Sequence, residues 1–164
     1  SNPSVCLPCL PGGFAGVNGT AVCDLCEAGK FQANGGQTAC LDCTPGYLCI
    51  RGSSAPVPCP GGTHANQTVL NITGFLSSLS ECLTCPPGTY CPVGTGEPTD
   101  CAAGTFNHVP AQASCQKCSA GTFQAREGYT ACETCTAGYY CQEGAAAALP
   151  CPGGTHKNQS LSVM

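Results

Sequence analysis

The residues with the greatest capacity for chemistry are 18 cysteines in a chain of 164 residues. Twelve of them stand in C-x2-C pairs, which are Cys6/Cys9, Cys23/Cys26, Cys40/Cys43, Cys82/Cys85, Cys115/Cys118 and Cys132/Cys135. Thiolates from two such pairs can hold a structural zinc ion, and a C-x-x-C pair in a βαβ context can act as a redox centre. In an oxidising compartment the same residues form structural disulfides instead.

Structural disulfides fit the sequence better than zinc or redox chemistry. Cys49, Cys91 and Cys141 stand outside the pairs, the chain carries glycosylation sequons, and no βαβ pattern surrounds any pair. A cysteine content above about 8–10% is typical of a disulfide scaffold, which persists in secreted or surface-displayed proteins. We therefore expect an extracellular or cell-surface chain with no metal site and no cofactor, and with N-linked glycans.

Crosslinks must replace a hydrophobic core in this chain. Leu, Ile, Val and Phe total 26 of 164 residues, whereas Gly and Pro total 36. That aliphatic share lies below the ~20% at which a chain struggles to build a core, and Gly and Pro favour turns. The composition predicts small disulfide-rich repeats in an elongated tandem array of short two-stranded β ribbons and irregular loops, with little helix.

The cysteines belong to an internal repeat of the form C-x-x-G-x-aromatic. Nine units begin at Cys9, Cys26, Cys43, Cys59, Cys85, Cys101, Cys118, Cys135 and Cys151. Glycine stands three residues after the cysteine in every unit, which suits a turn with positive φ or a close backbone approach. The fifth position after the cysteine is Phe, Tyr or His in eight units and Leu48 in the other. A ring at this position can lie across the disulfide.

A longer period lies on top of the short one. Residues 9–68 align with residues 101–160 without a gap, and 32 of the 60 positions are identical. A tandem array of this kind makes contacts mainly between neighbouring repeats. The sequence divides into disulfide-rich repeats at 1–58, an enlarged repeat with an apolar insertion at 59–84, a second set of repeats at 85–150, and the start of an incomplete repeat at 151–164.

Pairing each cysteine with its neighbour is the simplest disulfide hypothesis. It gives Cys9–Cys23, Cys26–Cys40, Cys43–Cys49, Cys59–Cys82, Cys85–Cys91, Cys101–Cys115, Cys118–Cys132 and Cys135–Cys141. Spacing alone leaves other connectivities open, above all for the C-x5-C pairs. The scheme leaves Cys6 and Cys151 without a partner.

The two ends of the chain complete each other when one copy is written after another. Cys151 is then followed by x18, Cys6, x2 and Cys9, whereas internally Cys59 is followed by x22, Cys82, x2 and Cys85. We therefore expect head-to-tail repetition, in one long chain or between subunits, with Cys151 bonded to Cys6 of the next copy. The sequence starts without a signal peptide and is expected to be a mature piece of a longer precursor; it contains no apolar run long enough to span a bilayer.

Four N-x-[ST] sequons, at Asn18, Asn66, Asn71 and Asn158, are expected to carry N-linked glycans. The alternative is that these asparagines cap turns.

Residues 69–81 form an apolar insertion with Val69, Ile72, Leu76 and Leu79 at helical spacing. The insertion either folds back on its own repeat as an enlarged loop or offers a contact patch to a neighbouring subunit.

No catalytic constellation is present in the sequence. His64 and His156 occupy the aromatic position of the repeat, and His108 stands without a nucleophile or carboxylate in a matching motif. The net charge is −4 and the five cations are scattered, which argues against nucleic acid as a partner. We expect a protein that is not an enzyme.

The unit C-x-x-G-x-[FY], followed by x13 to the next Cys and x2 to another unit, resembles the ephrin-receptor-like cysteine-rich repeats. It is also similar to the first half-module of tumour-necrosis-factor-receptor cysteine-rich domains. This resemblance implies the pairs Cys9–Cys23, Cys26–Cys40, Cys101–Cys115 and Cys118–Cys132. The C-x5-C-x9-C units depart from the receptor module. The regular repeats and matching termini also resemble mastigoneme-type proteins, the glycoprotein hairs of algal flagella.

Two functions remain open from the sequence. The first is an extracellular structural glycoprotein, a subunit or segment of a fibre or surface hair that associates head to tail, with other surface glycoproteins as further candidate partners. The alternative is a receptor or adhesion ectodomain that binds a protein ligand, which predicts exposed aromatic or charged residues that break the repeat.

Overall fold

The computed structural model describes residues 5–44 and 46–156. Its strands pair two by two, β1 with β2, β3 with β4 and so on to β13 with β14. The strands are β1 Gly13–Phe14, β2 Asp24–Leu25, β3 Lys30–Phe31, β4 Leu41–Asp42, β5 Thr63–Ala65, β6 Cys82–Thr84, β7 Thr89–Tyr90, β8 Thr99–Asp100, β9 Thr105–Phe106, β10 Gln116–Lys117, β11 Thr122–Phe123, β12 Glu133–Thr134, β13 Tyr139–Tyr140 and β14 Leu149–Pro150. The helices are α1, Gln67–Thr73, and a 3₁₀ helix, Leu79–Glu81.

Each ribbon joins the aromatic position of one repeat to the residues just before the next motif cysteine. In the first ribbon, for example, Phe14 lies opposite Asp24 and Gly13 opposite Leu25, antiparallel. Two-residue strands are too short to be stable in isolation, so each ribbon depends on the crosslinks beside it. The predicted fold class of short ribbons in small disulfide-rich repeats with little helix is confirmed.

The described residues fall into two compact units, and the first includes those of 1–60, 64–83 and 94–96. It contains a small apolar cluster made by Leu48, Cys59, Ala65 and Leu76. Val69 and Leu70 of α1 pack against this cluster with one face of the helix. The enlarged repeat therefore contributes aliphatic core to its own unit.

The insertion folds back on its own unit, and its helix is shorter than the apolar spacing predicts. Helix α1 ends at Thr73 because Gly74 takes a left-handed conformation with φ of 79°. Beyond that turn Leu76 is fully buried, and its N–H donates to the Tyr47 carbonyl at 3.0 Å. Ile72, which the helical spacing places with the core residues, is 80% exposed.

The second unit includes the described residues of 61–63, 84–93 and 97–164. Its deeply buried side chains are cysteines and amides, with Cys85, Cys101 and Cys118 fully buried and Asn107 and Gln124 nearly so. The motif rings Phe106 and Phe123 are only half-buried. The sequence predicts that rings form the local core, whereas in the structure the cysteines themselves take that place.

Three buried amides occupy one position of the repeat, six residues after the motif cysteine, where the C-x5-C units carry their second cysteine. These amides are Gln32, Asn107 and Gln124. Gln124 donates from Nε2 to the Ala131 carbonyl at 2.8 Å and accepts from the Arg126 N–H at 3.0 Å through Oε1. Gln32 makes the same two bonds with Ala39 and Asn34. The two hydrogen bonds of the amide thus hold the loop that a short disulfide holds in the C-x5-C repeats.

A second turn in each repeat requires a left-handed backbone. Gly36, Gly52, Gly94, Gly128 and Gly144 occupy it with φ between 70° and 80°. In the unit that begins at Cys101 the residue is Ala111, with φ of 62°, and it is the only non-glycine residue with positive φ in the described ranges. A left-handed conformation costs an L-residue with a side chain about 1–2 kcal/mol.

Replacing Gln124 with alanine should lower the free energy of unfolding by about 1–3 kcal/mol, because the two hydrogen bonds from the buried amide to backbone groups of the loop are lost. Urea denaturation with the disulfides intact measures the change. The matched control is Gln116→Ala at an exposed strand position, which should change stability by less than about 0.5 kcal/mol. Equal effects of the two substitutions would contradict the assigned role of the buried amide.

Replacing Ala111 with glycine should raise the free energy of unfolding by up to about 1 kcal/mol, because relief of the left-handed strain outweighs the added chain entropy. The control is Ala113→Gly, where φ is not positive, and it should lower stability by about 0.4–1 kcal/mol. A loss of stability in both variants would show that Ala111 is not strained.

Candidate functional site

The structure joins cysteines into eight disulfides whose partners are those of the neighbour scheme. They are Cys9–Cys23, Cys26–Cys40, Cys43–Cys49, Cys59–Cys82, Cys85–Cys91, Cys101–Cys115, Cys118–Cys132 and Cys135–Cys141. Their Cα atoms lie 5.7 to 6.3 Å apart, within the usual range for a disulfide. Cys6, which is exposed, and Cys151, which is half-buried, are the free cysteines of the described ranges.

Backbone hydrogen bonds through the motif cysteine and glycine connect neighbouring repeats, except at the step from the Cys43 repeat to the Cys59 repeat, where the Gly46 N–H bonds instead to the Gly74 carbonyl of the insertion. The cysteine N–H donates to the glycine carbonyl of the preceding repeat at 2.8 to 3.0 Å. The pairs are Cys26 to Gly12, Cys43 to Gly29, Cys85 to Gly62, Cys101 to Gly88, Cys118 to Gly104, Cys135 to Gly121 and Cys151 to Gly138. This bond brings the end of each ribbon against the next disulfide.

The same glycine donates in the opposite direction along the chain. Its N–H bonds to the carbonyl six residues after the next motif cysteine at 2.7 to 2.9 Å. The pairs are Gly12 to Gln32, Gly29 to Cys49, Gly62 to Cys91, Gly88 to Asn107, Gly104 to Gln124 and Gly121 to Cys141. The acceptor is thus the residue that is either a buried amide or a cysteine.

The motif cysteine also uses its carbonyl between repeats. It accepts the N–H of the second, left-handed turn of the next repeat at 2.7 to 3.0 Å. The donors and acceptors are Gly36 and Cys9, Gly52 and Cys26, Gly94 and Cys59, Ala111 and Cys85, Gly128 and Cys101, and Gly144 and Cys118. We call these three sets of bonds the inter-repeat ladder.

A steric contact reaches one repeat further. A Cβ atom built on Gly12, Gly88 or Gly104 would lie 2.2 Å from a turn carbonyl two repeats on. The carbonyls belong to Gly52, Gly128 and Gly144. Because no side chain fits in that space, these three positions must be glycine.

Two left-handed glycines in the end segments of the described ranges have open surroundings. Gly154 is exposed with φ of 81°, and no neighbouring atom lies within 4 Å of the place where its Cβ would stand. Gly19 has φ of 82°, like the ladder turns, but it is exposed and equally open. The unpaired Cys6 and Cys151 lie in the same two end segments.

The predicted glycosylation sites differ in their surroundings. Asn18 and Asn71 are exposed. Asn66 is half-buried and caps helix α1, since its Oδ1 accepts from the N–H of Thr68 at 3.0 Å and of Val69 at 3.4 Å. The cap uses the oxygen of the amide, whereas a glycan would attach to the nitrogen. Asn158 lies outside the described residues.

Charged side chains collect in one groove of the first unit, which the sequence analysis did not identify. The groove encloses about 640 Å³ over the half-buried Phe14. Its charged walls are Asp24, Glu27, Lys30 and Arg51, and Lys30 pairs with Asp42. Ribbon pairing brings these residues together although they are far apart in the sequence, so the sequence alone does not reveal the groove.

The charged residues of the groove are not repeated at the equivalent positions of the second repeat set. Ninety-two residues on, the positions of Asp24, Glu27 and Lys30 are occupied by Gln116, Ser119 and Thr122. Arg51 corresponds to Glu143, which faces Lys117 at 3.7 Å. Comparing the two repeat sets position by position would have revealed this difference.

The histidines do not gather into a site. His64 is half-buried on strand β5, where its Nδ1 lies 3.1 Å from the Ala65 carbonyl, and His108 lies beside the Phe106 ring. His156 is exposed. Within residues 5–44 and 46–156 no group of three or more His, Cys, Asp or Glu side chains is arranged to hold a metal ion. In the same ranges no helix has the length and apolar character needed to cross a membrane.

The comparison with protein families finds a match for residues 12–55, to the model described as tyrosine-protein kinase ephrin type A/B receptor-like. No curated protein matches the chain. The matched segment begins at the first motif glycine and includes the disulfide Cys26–Cys40, so the family match and the crosslinks identify the same repeats. Together with the disulfides, the match indicates an extracellular or cell-surface, disulfide-rich module. The chain is thus built of cysteine-rich repeats, of which residues 12–55 are ephrin-receptor-like.

Proposed function

We propose that the protein is a segment of an extracellular structural glycoprotein, a fibre or surface hair assembled head to tail. The observation that carries this proposal is the location of Cys6 and Cys151, the two free cysteines, near opposite ends of the chain. They occupy the positions that Cys82 and Cys59 hold in the internal disulfide of the enlarged repeat. A disulfide from Cys151 to Cys6 of the next copy would continue the array.

The proposed role is mechanical. Each repeat is fixed by its own crosslink and joined to its neighbours by the inter-repeat ladder, so that tension along the array would be borne by covalent bonds and backbone hydrogen bonds. Glycans on exposed asparagines would keep a surface with many exposed apolar side chains soluble. Nothing in this role requires a catalytic group.

A receptor or adhesion ectodomain is the second candidate, and the charged groove favours it. Asp24, Glu27, Lys30 and Arg51 break the repeat pattern in the first unit, as a ligand-binding rod requires. A finite rod with free end cysteines would support this function. Electron micrographs of native material distinguish the two, because a fibre gives filaments of indefinite length and an ectodomain gives short rods.

Cysteine substitutions should show the direction of assembly. A chain with Cys6→Ser keeps Cys151 as its only free cysteine, and a chain with Cys151→Ser keeps Cys6 as its only free cysteine. Each variant alone should stay monomeric on a non-reducing gel, whereas an equimolar mixture should give covalent dimers and nothing larger, because each junction needs one cysteine of each kind.

The wild-type chain, treated in the same way, should form a ladder of multimers that collapses to monomer on reduction. Dimers in either variant alone would indicate like-to-like pairing and would contradict head-to-tail assembly. Monomers in all samples would contradict the covalent array.

Glycosylation and helix capping at Asn66 can be separated by substitution. Thr68→Ala and Asn66→Asp both destroy the sequon, but each leaves an oxygen at the cap, whereas Asn66→Ala removes both functions. All three variants should lose the same glycan mass when secreted from a eukaryotic cell.

After enzymatic removal of all glycans, only Asn66→Ala should lose stability, by about 0.5–2 kcal/mol, because only that variant lacks the cap. An unchanged glycan mass in the Thr68→Ala variant would show that Asn66 is not modified.

A further inference from the structure

We propose that the inter-repeat ladder continues across the junction between copies, so that the N-terminal edge of one copy docks in a fixed register on the C-terminal edge of the copy before it. The C-terminal edge is defined by Cys151 and Gly154, and the N-terminal edge by Cys9, Gly19 and Gly36. This inference rests on the proposed head-to-tail function and adds the register and the non-covalent partner atoms.

The first contact follows from the enlarged repeat, which the junction resembles in sequence. Internally, the Cys85 N–H donates to the Gly62 carbonyl at 3.0 Å. Gly154 stands in the repeat where Gly62 does, and Cys9 stands where Cys85 does. The Cys9 N–H of the following copy therefore bonds to the Gly154 carbonyl.

The second contact explains the left-handed turn at Gly19. Gly36, in the next repeat, occupies the same position and donates to the Cys9 carbonyl at 2.8 Å. Gly19 has the same backbone conformation, with φ of 82° against 70° for Gly36. Across the junction its N–H donates to the Cys151 carbonyl of the preceding copy, as Gly94 donates to Cys59 at 2.9 Å.

The third contact is steric and provides the sharpest test. In the enlarged repeat Gly62 packs against the Ala111 carbonyl two repeats on, where a Cβ would lie at 2.3 Å. Gly154 stands where Gly62 does, and its space is open. In an assembled array that space receives the carbonyl of Gly36 of the following copy, which stands where Ala111 does.

The test uses the covalent dimer formed when the two cysteine variants are mixed under air, where oxygen accepts the two electrons and two protons released as the thiols form the disulfide. The Cys6→Ser copy becomes the upstream member because it supplies Cys151, and the Cys151→Ser copy becomes the downstream member. Gly154→Ala is then placed in one copy or the other. In the upstream copy the new methyl group meets Gly36 of its neighbour, whereas in the downstream copy it stays at the free end.

We expect the upstream substitution to slow dimer formation by about tenfold or more and the downstream substitution to leave it unchanged. Amide hydrogen exchange of the unsubstituted dimer should slow at Gly19 of the downstream copy by about tenfold or more relative to Gly19 of the upstream copy. A second variant, Gly46→Ala, controls for left-handed strain, since Gly46 has φ of 83° and is equally open within the chain. It should behave as wild type in both copies.

The outcomes separate the register from the proposed function. Dimers that form with equal Gly19 exchange in both copies, or with no effect of Gly154→Ala in the upstream copy, would overturn the register while the covalent array remains. Equal slowing from both placements of Gly154→Ala would assign the effect to folding of the single copy and would also overturn the register. Absence of any dimer would overturn both proposals.

Discussion

The fold depends on one constraint, which is a close backbone approach between repeats that leaves several motif glycines no room for a side chain. Gly12, Gly88 and Gly104 each leave only enough space for a carbonyl from two repeats on. Their own N–H and carbonyl groups then bond to the adjacent repeat at ordinary hydrogen-bond distances. Because aliphatic residues are scarce, these backbone contacts and the buried cysteines replace the side-chain core of an ordinary domain.

A ladder of this kind leaves partly unsatisfied ends. Each motif glycine uses atoms from the following one and two repeats, so the last repeats of any segment expose groups that internal repeats bury. Repeat proteins generally meet this problem with capping repeats or with further copies. Gly19 and Gly154 are open and exposed and have the left-handed conformation of ladder members, and under the proposed head-to-tail assembly they would mark the two edges where another copy docks.

Cysteine and glycine spacing predicted most of the fold because both residue types act through geometry that spacing controls. Seven of the eight crosslinked pairs close C-x13-C or C-x5-C intervals, and the eighth, Cys59–Cys82, closes a longer interval. The short ribbons follow from these intervals. The buried Gln124 was missed because a polar residue in an aligned repeat is ordinarily read as surface. The predicted helix in the insertion was too long because apolar spacing does not indicate that Gly74 takes a left-handed conformation. The charged groove arises because strands that are distant in sequence pair with each other, so no local sequence pattern predicts it.

The proposed fibre requires a covalent link through the junction between copies. The most direct measurement is a non-reducing disulfide and glycopeptide map of the native material by mass spectrometry. The account predicts a peptide pair joined through Cys151 and Cys6, with sugar on Asn66. Alkylation of both cysteines as free thiols, or a bond between them within one copy, would contradict the array and leave a finite extracellular module.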